Sequence, residues 1–267
     1  MGKVIAIANQ KGGVGKTTTC VNLAASMAAS SCKVLVIDLD PQGNATMASG
    51  VDKYQVANTA YELLVDELPV EQVVITETSG GFDLIAGNGD VTAAEIKLVE
   101  FFAREVRLRN ALAPVREYYD YIFIDCPPSL NLLTVNAMSA ADSVLVPMQC
   151  EYFALEGLTA LMDTISKLAA VVNPALKIEG ILRTMYDHRN RLSNEVSDQL
   201  KNHFGDQVYR TVIPRNVRLA EAPSHGTPVM YYDKSSVGAK SYLALASEIL
   251  RRDAERQPHS EQVEKTA

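Results

Sequence analysis

Short apolar runs alternate along the chain with longer segments in which apolar residues recur at helical spacing. The runs are nearly continuous in Val, Ile and Leu, which is typical of strands buried on both faces. Strands are predicted at Lys3–Ala8, Lys33–Asp38, Phe82–Ala86, Tyr121–Asp125, Ser143–Pro147, Ile178–Thr184 and Val208–Ile213. Helices are predicted at Thr17–Ser30, Thr92–Arg116, Leu130–Ala140, Ala154–Val172, Asn194–Phe204 and Gly238–Arg252. The alternation favours an α/β fold: one doubly wound, mostly parallel, twisted sheet with helices on both faces.

Length and composition are those of an ordinary globular protein. The chain has 267 residues, of which 47% are hydrophobic and 21% charged, enough to bury a full core. We expect residues 1–252 to form a single domain and the polar residues 253–267 to form a frayed tail. No apolar run is long enough to span a bilayer or to serve as a signal peptide, so the sequence predicts a protein that stays in the cytoplasm.

Cysteine and histidine residues suggest no chemistry of their own. The four cysteines contain no CxxC pair, and no histidine is placed to complete a zinc set. A reduced cytoplasmic protein fits this pattern. Cys126 and Cys150, at the ends of predicted strands, are expected to be packed thiols.

Net charge is uneven along the chain. The whole chain carries −7, but residues 1–182 carry −9, residues 183–218 carry +3 and residues 219–267 carry −1. A site for a polyanion is therefore predicted within residues 183–218.

A glycine-rich segment follows the first predicted strand and precedes the first predicted helix. It reads NQKGGVGKTT over residues 9–18. Such glycines let backbone N–H groups turn toward phosphates, and the helix N-terminus favours negative charge. Lys16 is expected to reach the β- and γ-phosphates of a nucleotide and the Thr17 hydroxyl to bind Mg²⁺. A dinucleotide-binding turn would need a third glycine that this segment lacks.

The segment departs from the usual GxxxxGK[ST] pattern of a phosphate-binding loop in one place. Gln10 stands where that pattern has its first glycine, and a second lysine, Lys11, follows it.

Carboxylates follow two other predicted strands. Asp38 and Asp40 end the run VLVIDLD, and Asp125 ends the run YIFID. Ligands of open α/β sheets bind at the carboxyl ends of the strands. One acid of the first pair can orient an attacking water and the other can support the Mg²⁺ shell, and Asp125 has the position of a Walker B carboxylate.

Several longer strings resemble the ParA/Soj family of partition ATPases. They are KGGVGKTT, VLVIDLDPQGN, YDYIFIDCPPSLNLLTVNA, QCEYFALEGL and VIPRNVRLAEAPSHGTPV, and the resemblance extends over about residues 1–252. It implies a P-loop ATPase of the deviant Walker A class that lacks an N-terminal helix-turn-helix. ATP and Mg²⁺ are the implied cofactors, and hydrolysis is slow and stimulated by a partner.

The resemblance also implies roles for individual residues. Lys11 is the signature lysine that reaches the partner subunit's nucleotide in an ATP-sandwich homodimer, Gly12 lies at the dimer seam, and Asp40 supports hydrolysis. The implied catalytic residues are Lys11, Lys16 and Asp40, and the implied metal residues are Thr17, Asp38 and Asp125. The implied nucleotide-binding residues are Lys11, Gly12, Gly13, Val14, Gly15, Lys16, Thr17, Thr18, Pro214 and Asn216.

The basic segment gains a function from the same resemblance. ATP-bound dimers of the family bind double-stranded DNA without sequence preference, and a ParB-like centromere-binding protein stimulates hydrolysis. Such a protein is expected on the nucleoid, where it segregates a chromosome or a plasmid. The implied DNA-binding residues are Arg189, Arg191, Arg215, Arg218 and Lys240, with Arg183 as a further candidate.

Three alternative functions share the phosphate-binding loop. A MinD-like membrane-positioning ATPase needs a C-terminal amphipathic helix, whereas the chain after Arg252 offers only Val263 as a sizeable apolar residue. The second is a metabolic P-loop enzyme. It could be of the dethiobiotin synthetase type or resemble the nitrogenase iron protein, in which cysteines hold an iron–sulfur cluster. A binding module without hydrolysis is the third, and it would not need Asp40.

Overall fold

The computed structural model describes residues 2–76 and 78–256. These residues form an eight-stranded sheet with helices against both faces. The strands are β1 Lys3–Ile7, β2 Val34–Asp38, β3 Val74–Ile75, β4 Asp83–Ile85, β5 Tyr121–Asp125, β6 Ser143–Gln149, β7 Lys177–Tyr186 and β8 Val208–Pro214. Their order across the sheet is β3-β4-β2-β5-β1-β6-β7-β8, and every neighbouring pair is parallel except β3 and β4.

Twelve α-helices are present among the described residues. They are α1 Lys16–Ala28, α2 Asn44–Ala48, α3 Ala60–Leu64, α4 Val70–Val73, α5 Val91–Leu98, α6 Arg107–Leu112, α7 Leu132–Ala140, α8 Ala154–Val171, α9 Arg191–Phe204, α10 Val217–Glu221, α11 Val229–Tyr232 and α12 Val237–Arg256. Within the described ranges, no helix combines the length and the apolar character needed to cross a bilayer.

Alternate residues of each central strand enter two separate hydrophobic cores. On β1, Val4 and Ala6 belong to one core and Ile5 and Ile7 to the other, as the two-residue repeat of a strand requires. Helices α5 to α9 cover the first face, and α1 and α12 cover the second. Helices therefore cover both faces of a mostly parallel sheet, and the predicted fold class is confirmed.

All seven predicted strands are present, within two residues of the predicted bounds. The prediction missed β3, which has two residues and pairs antiparallel with β4 at the edge of the sheet. A run this short carries no periodicity that could reveal it.

The single helix predicted over Thr92–Arg116 is wrong. The structure has α5, an irregular segment over residues 99–106, and then α6. Ala103 in that segment has φ +53°, in the left-handed region that interrupts a helix. The Asn136 side chain of α7 satisfies the exposed backbone there, since its Nδ2 donates to the Arg104 oxygen and its Oδ1 accepts from the Leu108 N–H.

The last helix extends past the predicted end of the domain at Arg252. It continues to Arg256 because Asp253, which we expected to begin the tail, accepts hydrogen bonds from Lys3 Nζ and from the Tyr121 hydroxyl. The remainder of the predicted tail, residues 257–267, lies outside the described residues.

Candidate functional site

The glycine-rich loop joins the carboxyl end of β1 to the start of α1. Gly13 and Gly15 have φ of +72° and +88°, which glycine adopts without the strain that a side chain would add. The loop is anchored through the buried Val14, whose carbonyl accepts a 2.7 Å hydrogen bond from the Thr184 hydroxyl of β7. This conformation presents backbone N–H groups at a helix N-terminus, the arrangement that binds phosphate.

Lys16, the first residue of α1, is almost completely buried. Its Nζ donates to the Lys11 carbonyl over 3.2 Å, so the ammonium lies against the inside of the loop. Burial lowers the pKa of Lys16, and the nearby carboxylates of Asp125 and Asp40 oppose that shift. A buried cation within a loop of free N–H groups provides the charge that a polyphosphate needs.

Asp38 and Asp125 lie side by side on adjacent strands, since β2 and β5 are paired with these two residues in register. Asp125 Oδ2 accepts a 2.7 Å hydrogen bond from the Thr17 hydroxyl, whereas its Oδ1 is buried without any hydrogen-bond partner. Burial and the charge of Asp38 raise the pKa of Asp125 well above its usual range. An unpaired carboxylate oxygen beside a threonine hydroxyl is a pair of hard oxygen ligands that suits Mg²⁺.

Magnesium fits this set only when other groups complete its coordination. Among the residues that the structure describes, no group of three or more His, Cys, Asp or Glu side chains is arranged to hold a metal. Mg²⁺ commonly binds one or two protein oxygens and takes the rest from phosphate and water. Thr17 and Asp125 would therefore hold Mg²⁺ together with a nucleotide.

Asp38 has both carboxylate oxygens occupied within the protein. One accepts from the Asp40 N–H over 3.2 Å, and the other accepts from the Thr46 N–H and hydroxyl, both over 2.8 Å. Gly87 lies so close that a Cβ there would meet the Asp38 carbonyl oxygen at 2.4 Å. These contacts brace the turn after β2 and leave one acceptor position unused, on the Asp38 oxygen that accepts only from Asp40.

Asp40 occupies that braced turn at the mouth of the site. It is largely buried, and its Oδ1 accepts from the Gln42 N–H over 3.0 Å. The second carboxylate oxygen makes no hydrogen bond within the described residues. Asp40 therefore has one oxygen fixed by the turn and one that can accept a hydrogen bond from a water.

Pro214 and Asn216 line a cavity of about 210 Å³ next to the loop. Gly15 and Thr18 form its loop side, and Leu219 adds an apolar wall. Such a mainly apolar cavity beside a phosphate-binding loop is suited to a nucleotide base. The structure thus brings these two predicted nucleotide-binding residues next to the loop.

Lys11, at the head of the loop, lies on the surface. Its side chain is 53% exposed, and its Nζ forms a 2.5 Å ion pair with Glu151. Tyr152 and Phe153, which follow Glu151, are 74% and 72% exposed. A Cβ added to Gly12 would meet no atom of the chain within 4 Å. The loop head therefore carries an exposed cation and an open glycine, and the segment that pairs with that cation exposes two aromatic rings.

The predicted DNA-binding arginines come together at one edge of the sheet. Arg189 follows β7, and Arg215 and Arg218 follow β8; these strands are parallel neighbours whose ends, Tyr186 and Pro214, are paired. Residues after the carboxyl ends of parallel strands lie on the same side of the sheet. The loop after β1 emerges at this edge as well.

Lys240 joins the same region through α12. A Cβ on Gly238 would come within 2.7 Å of the Leu219 side chain, so the start of α12 lies tightly against α10. Lys240 and Arg215 are exposed and form no ion pair with any described residue.

The other predicted arginines are ion-paired locally. Arg189 bonds to Asp187, and Arg191 to Glu195; they are 80% and 92% exposed. The hydrogen bonds from Arg189 lower the pKa of Asp187 to about 2. Asp187 is therefore negatively charged at any ordinary pH and offsets the charge of Arg189.

Arg218 is half exposed and has two carboxylate neighbours, Glu221 at 2.8 Å and Asp233 at 3.3 Å. A polyanion that binds these arginines must compete with carboxylates of the chain.

Arg183 was also considered a DNA contact, and this is wrong. Only 4% of the residue is exposed, and its guanidinium donates to Ser197 Oγ and to the carbonyls of Tyr209 and Arg210. Arg183 holds β7, β8 and α9 together.

The sequence reasoning missed three residues of the site. Glu151 pairs with Lys11, and Thr184 anchors the loop from a strand 170 residues away. Tyr242, on α12, closes the base-side cavity and forms a 3.2 Å hydrogen bond with Thr19. No local pattern marks Thr184 or Tyr242, because each acts only through a contact across the sheet. Glu151 lies in the string QCEYFALEGL, whose resemblance to the family assigns no role to this residue.

The fold and the loop define a P-loop nucleotide-binding protein of the α/β class. A family model described as AAA domain matches residues 2–178. The Soj sporulation initiation inhibitor protein of Bacillus subtilis is 53% identical over 249 residues, which are 93% of this chain and 98% of that protein. The chromosome partitioning protein ParA of Caulobacter vibrioides is 51% identical over 257 residues, 96% of each chain. The chain belongs to the ParA/Soj family of chromosome-partitioning ATPases.

Solved structures agree with this assignment. Cobyrinic acid a,c-diamide synthase of Mycobacterium smegmatis, solved with bound ADP and magnesium, is 35% identical with a TM-score of 0.84 over 96% of this chain and 97% of that chain. The cell division ATPase MinD of Pyrococcus furiosus is 27% identical with a TM-score of 0.78 over 94% of this chain and 100% of that chain. The described fold is therefore shared across functionally diverse P-loop proteins.

Proposed function

We propose that this protein is an ATP-dependent DNA-partitioning switch. Two copies bind ATP between them, the dimer binds DNA without sequence preference on the nucleoid, and hydrolysis stimulated by a ParB-like partner releases it. Repetition of this cycle would segregate a chromosome or a plasmid.

One observation carries the proposal: the loop has a second lysine that it does not itself use. Lys16 already lies inside the loop, whereas Lys11 lies on the surface and pairs with Glu151. An exposed lysine at the head of a phosphate-binding loop is well placed to reach a nucleotide in another copy. Such a trans contact makes dimerisation depend on the γ-phosphate charge.

The surroundings of Lys11 support a dimer seam there. Gly12 has open space where a Cβ would be, and Tyr152 and Phe153 expose two aromatic rings next to the ion pair. Exposed aromatic residues beside a charged pair are typical of protein interfaces. The dimer interface would cover the phosphates on the solvent-facing side of the loop, which a second chain can reach.

The chain's own residues account for the steps of hydrolysis. The loop N–H groups and Lys16 bind the β- and γ-phosphates, and Thr17 and Asp125 hold Mg²⁺, which supplies charge neutralisation when bound. Asp40 accepts a hydrogen bond from the attacking water and orients it toward the γ-phosphate. The braced turn formed by Asp38 and Thr46 fixes the position of Asp40.

DNA binding would depend on the dimer because one chain offers little positive charge. Arg189, Arg191, Arg215, Arg218 and Lys240 are exposed at one edge of the sheet, but three of them are ion-paired to carboxylates. Two copies joined at the loop would double this surface, and phosphate contacts add through counterion release. Contacts to phosphate carry no direct sequence information, which accounts for binding without sequence preference.

The experiment combines light scattering and DNA binding on the Asp40→Ala variant, in which hydrolysis is blocked. We expect a monomer with ADP, a dimer with ATP, and binding to two unrelated duplexes with ATP alone. Lys16→Ala is the matched control and should give neither dimer nor DNA binding. An ATP-dependent dimer that binds no DNA would contradict the partitioning function. Rapid ATP hydrolysis by the purified parent chain alone, measured separately, would indicate a metabolic enzyme.

A further inference from the structure

Large apolar side chains that the core does not use are exposed on α5 and the turn after it. Ile96, Val99 and Phe102 are 69%, 58% and 99% exposed. Ile96 lies on α5, and Val99 and Phe102 lie in the irregular segment after it, so all three fall within seven residues of the chain, while Leu98 and Phe101 pack in the core. A helix of a soluble domain needs only one apolar side, and contiguous exposed apolar residues mark interaction sites. We call Ile96, Val99 and Phe102 the Phe102 face.

A groove lies directly beside this face. Its volume is about 470 Å³, and Phe102 forms one wall. Leu63, Leu68 and Pro69 contribute apolar surface. Glu67 and Arg107 also line the groove and form a 2.9 Å ion pair with each other. The groove can accept an aliphatic or aromatic side chain, and a positively charged one beside it would compete with Arg107 for Glu67.

The segment that forms the face and the groove has a negative net charge. Residues 60–114 contain ten Asp and Glu residues against one Lys and three Arg, a net charge of −6 in a chain whose total is −7. Glu100, between Val99 and Phe101, is exposed and forms no ion pair with any described residue. Complementarity of charge favours a partner that is basic as well as apolar.

We propose that the Phe102 face and its groove dock a basic, apolar peptide segment of another protein. DNA and anionic lipid are excluded by the sign of the charge. A second copy of the chain would place like charges opposite each other, which costs binding energy. Residues 257–267 of the same chain carry a net charge of −1 and only Val263 as a sizeable apolar residue, so they match the surface poorly.

One side-chain hydrogen bond connects α5 to the segment that leads to the nucleotide site. Glu95, next to Ile96 on α5, accepts a 2.8 Å hydrogen bond from the Asn131 side chain, and Asn131 caps the start of α7. The loop over residues 126–130 joins that cap to Asp125 at the metal site. A segment docked on α5 therefore acts on the end of the loop that begins at Asp125. The docking itself does not depend on the proposed function, but its consequence for ATP hydrolysis rests on it.

A synthetic amphipathic peptide of Leu and Lys tests the docking on nucleotide-free protein by fluorescence anisotropy. Phe102→Ser should weaken its binding about tenfold or more, as expected for a central aromatic anchor. Tyr54→Ser, which removes another aromatic ring that is 83% exposed, is the matched control and should leave the affinity unchanged. Glu100→Gln should weaken binding about two- to fivefold and make it less sensitive to salt.

Three results would overturn the docking proposal. One is equal binding by the parent and Phe102→Ser. Another is equal binding of a matched peptide of Leu and Glu, which would indicate a generally adhesive surface. The third is a doubled mass of the protein alone in light scattering that Phe102→Ser abolishes, which would assign the face to a second copy.

Hydrogen exchange at residues 126–134 tests the connection to the nucleotide site. Bound peptide should change protection there in the parent chain, and Glu95→Ala should bind the peptide within about threefold of the parent but lose the change. If the peptide still changes the protection of residues 126–134 in Glu95→Ala, Glu95 does not connect the face to the nucleotide site. Neither measurement uses ATP or DNA, so failure of the proposed partitioning function would leave both results interpretable.

Discussion

Lys11 and Glu151 form a 2.5 Å ion pair that joins the head of the phosphate-binding loop to the segment between β6 and α8. Both side chains are about half exposed, so the pair can open at low cost. If Lys11 must reach a nucleotide in a second copy, Glu151 competes with that contact in the isolated chain. The ion pair would then restrain dimerisation until ATP is bound.

Glu151→Gln should therefore favour the ATP-bound dimer. An exposed ion pair contributes about 0.2 to 1 kcal/mol, and a homodimer opens two such pairs, so the protein concentration at half dimerisation should fall about 2- to 30-fold. Light scattering over a dilution series with a non-hydrolysable ATP analogue measures this. Glu156→Gln, an exposed carboxylate on α8 without an ion pair among the described residues, is the control. A higher midpoint in Glu151→Gln would show that Glu151 contacts the second copy instead.

Gly12→Val should separate nucleotide binding from dimerisation. The structure has no atom within 4 Å of a Cβ at this position, and the residue is not among the glycines with positive φ. The free energy of unfolding should therefore change by less than about 0.5 kcal/mol. ATP binding should persist while the ATP-bound dimer is lost.

The measurements for Gly12→Val are thermal unfolding, a fluorescent ATP analogue and light scattering. Gly89→Val, at another position with open space around the Cβ, is the control. A Gly12→Val chain that dimerises normally with ATP would place the seam elsewhere.

Neutralising the carboxylate beside a predicted DNA-binding arginine should strengthen DNA binding. Asp187→Asn removes the partner of Arg189, so Arg189 becomes available to phosphate. Affinity of the ATP-bound form should rise on all duplexes, with a steeper salt dependence of about 0.9 per additional phosphate contact. A rise confined to one sequence would contradict phosphate contact.

Charge reversal at Arg218 should have the opposite effect. Arg218→Glu should weaken binding about equally on unrelated duplexes and make the salt dependence shallower. Arg109→Glu makes the same change in charge on α6, where the residue is exposed, and should have little effect. Filter binding against salt concentration decides the comparison, and equal losses in the two variants would show an effect of net charge only.

Acid sensitivity is expected from Glu179, a buried carboxylate on β7. Burial alone would raise its pKa, but Lys3 at 2.9 Å, the Ser143 hydroxyl and Arg256 lower it below the usual 4.5. A lowered folded-state pKa means that the stabilisation is fully present above pH 4.5 and is lost as the pH falls through the folded-state pKa.

Glu179→Gln should reduce the free energy of unfolding by about 1.5 to 3 kcal/mol near neutral pH. The difference from the parent should shrink below pH 4.5, where the parent also loses the charge. Urea unfolding at several pH values measures both effects. A difference that stays constant with pH would indicate a packing effect and not the charge of Glu179.

The sequence by itself determined the class of fold and the chemistry of the loop. Continuous apolar runs such as those of β2 and β5 must be buried on both faces, which requires a parallel sheet covered by helices. The glycines at 13 and 15, followed by Lys16 and Thr17, specify a phosphate-binding turn because their backbone preferences and charges are local properties. Seven of the eight strands followed from such local patterns, and the ParA/Soj family followed from the resemblance of longer strings.

Only the tertiary structure decided which side chains meet. It buried Arg183 between β7, β8 and α9, where charge along the sequence had indicated a DNA contact. It also replaced one predicted long helix with α5, an irregular segment and α6, and so exposed Phe102. The pairing of Lys11 with Glu151 and of Asp38 with Asp125 joins residues far apart in the chain. Such contacts depend on strand order and register, and no local preference of a residue encodes them.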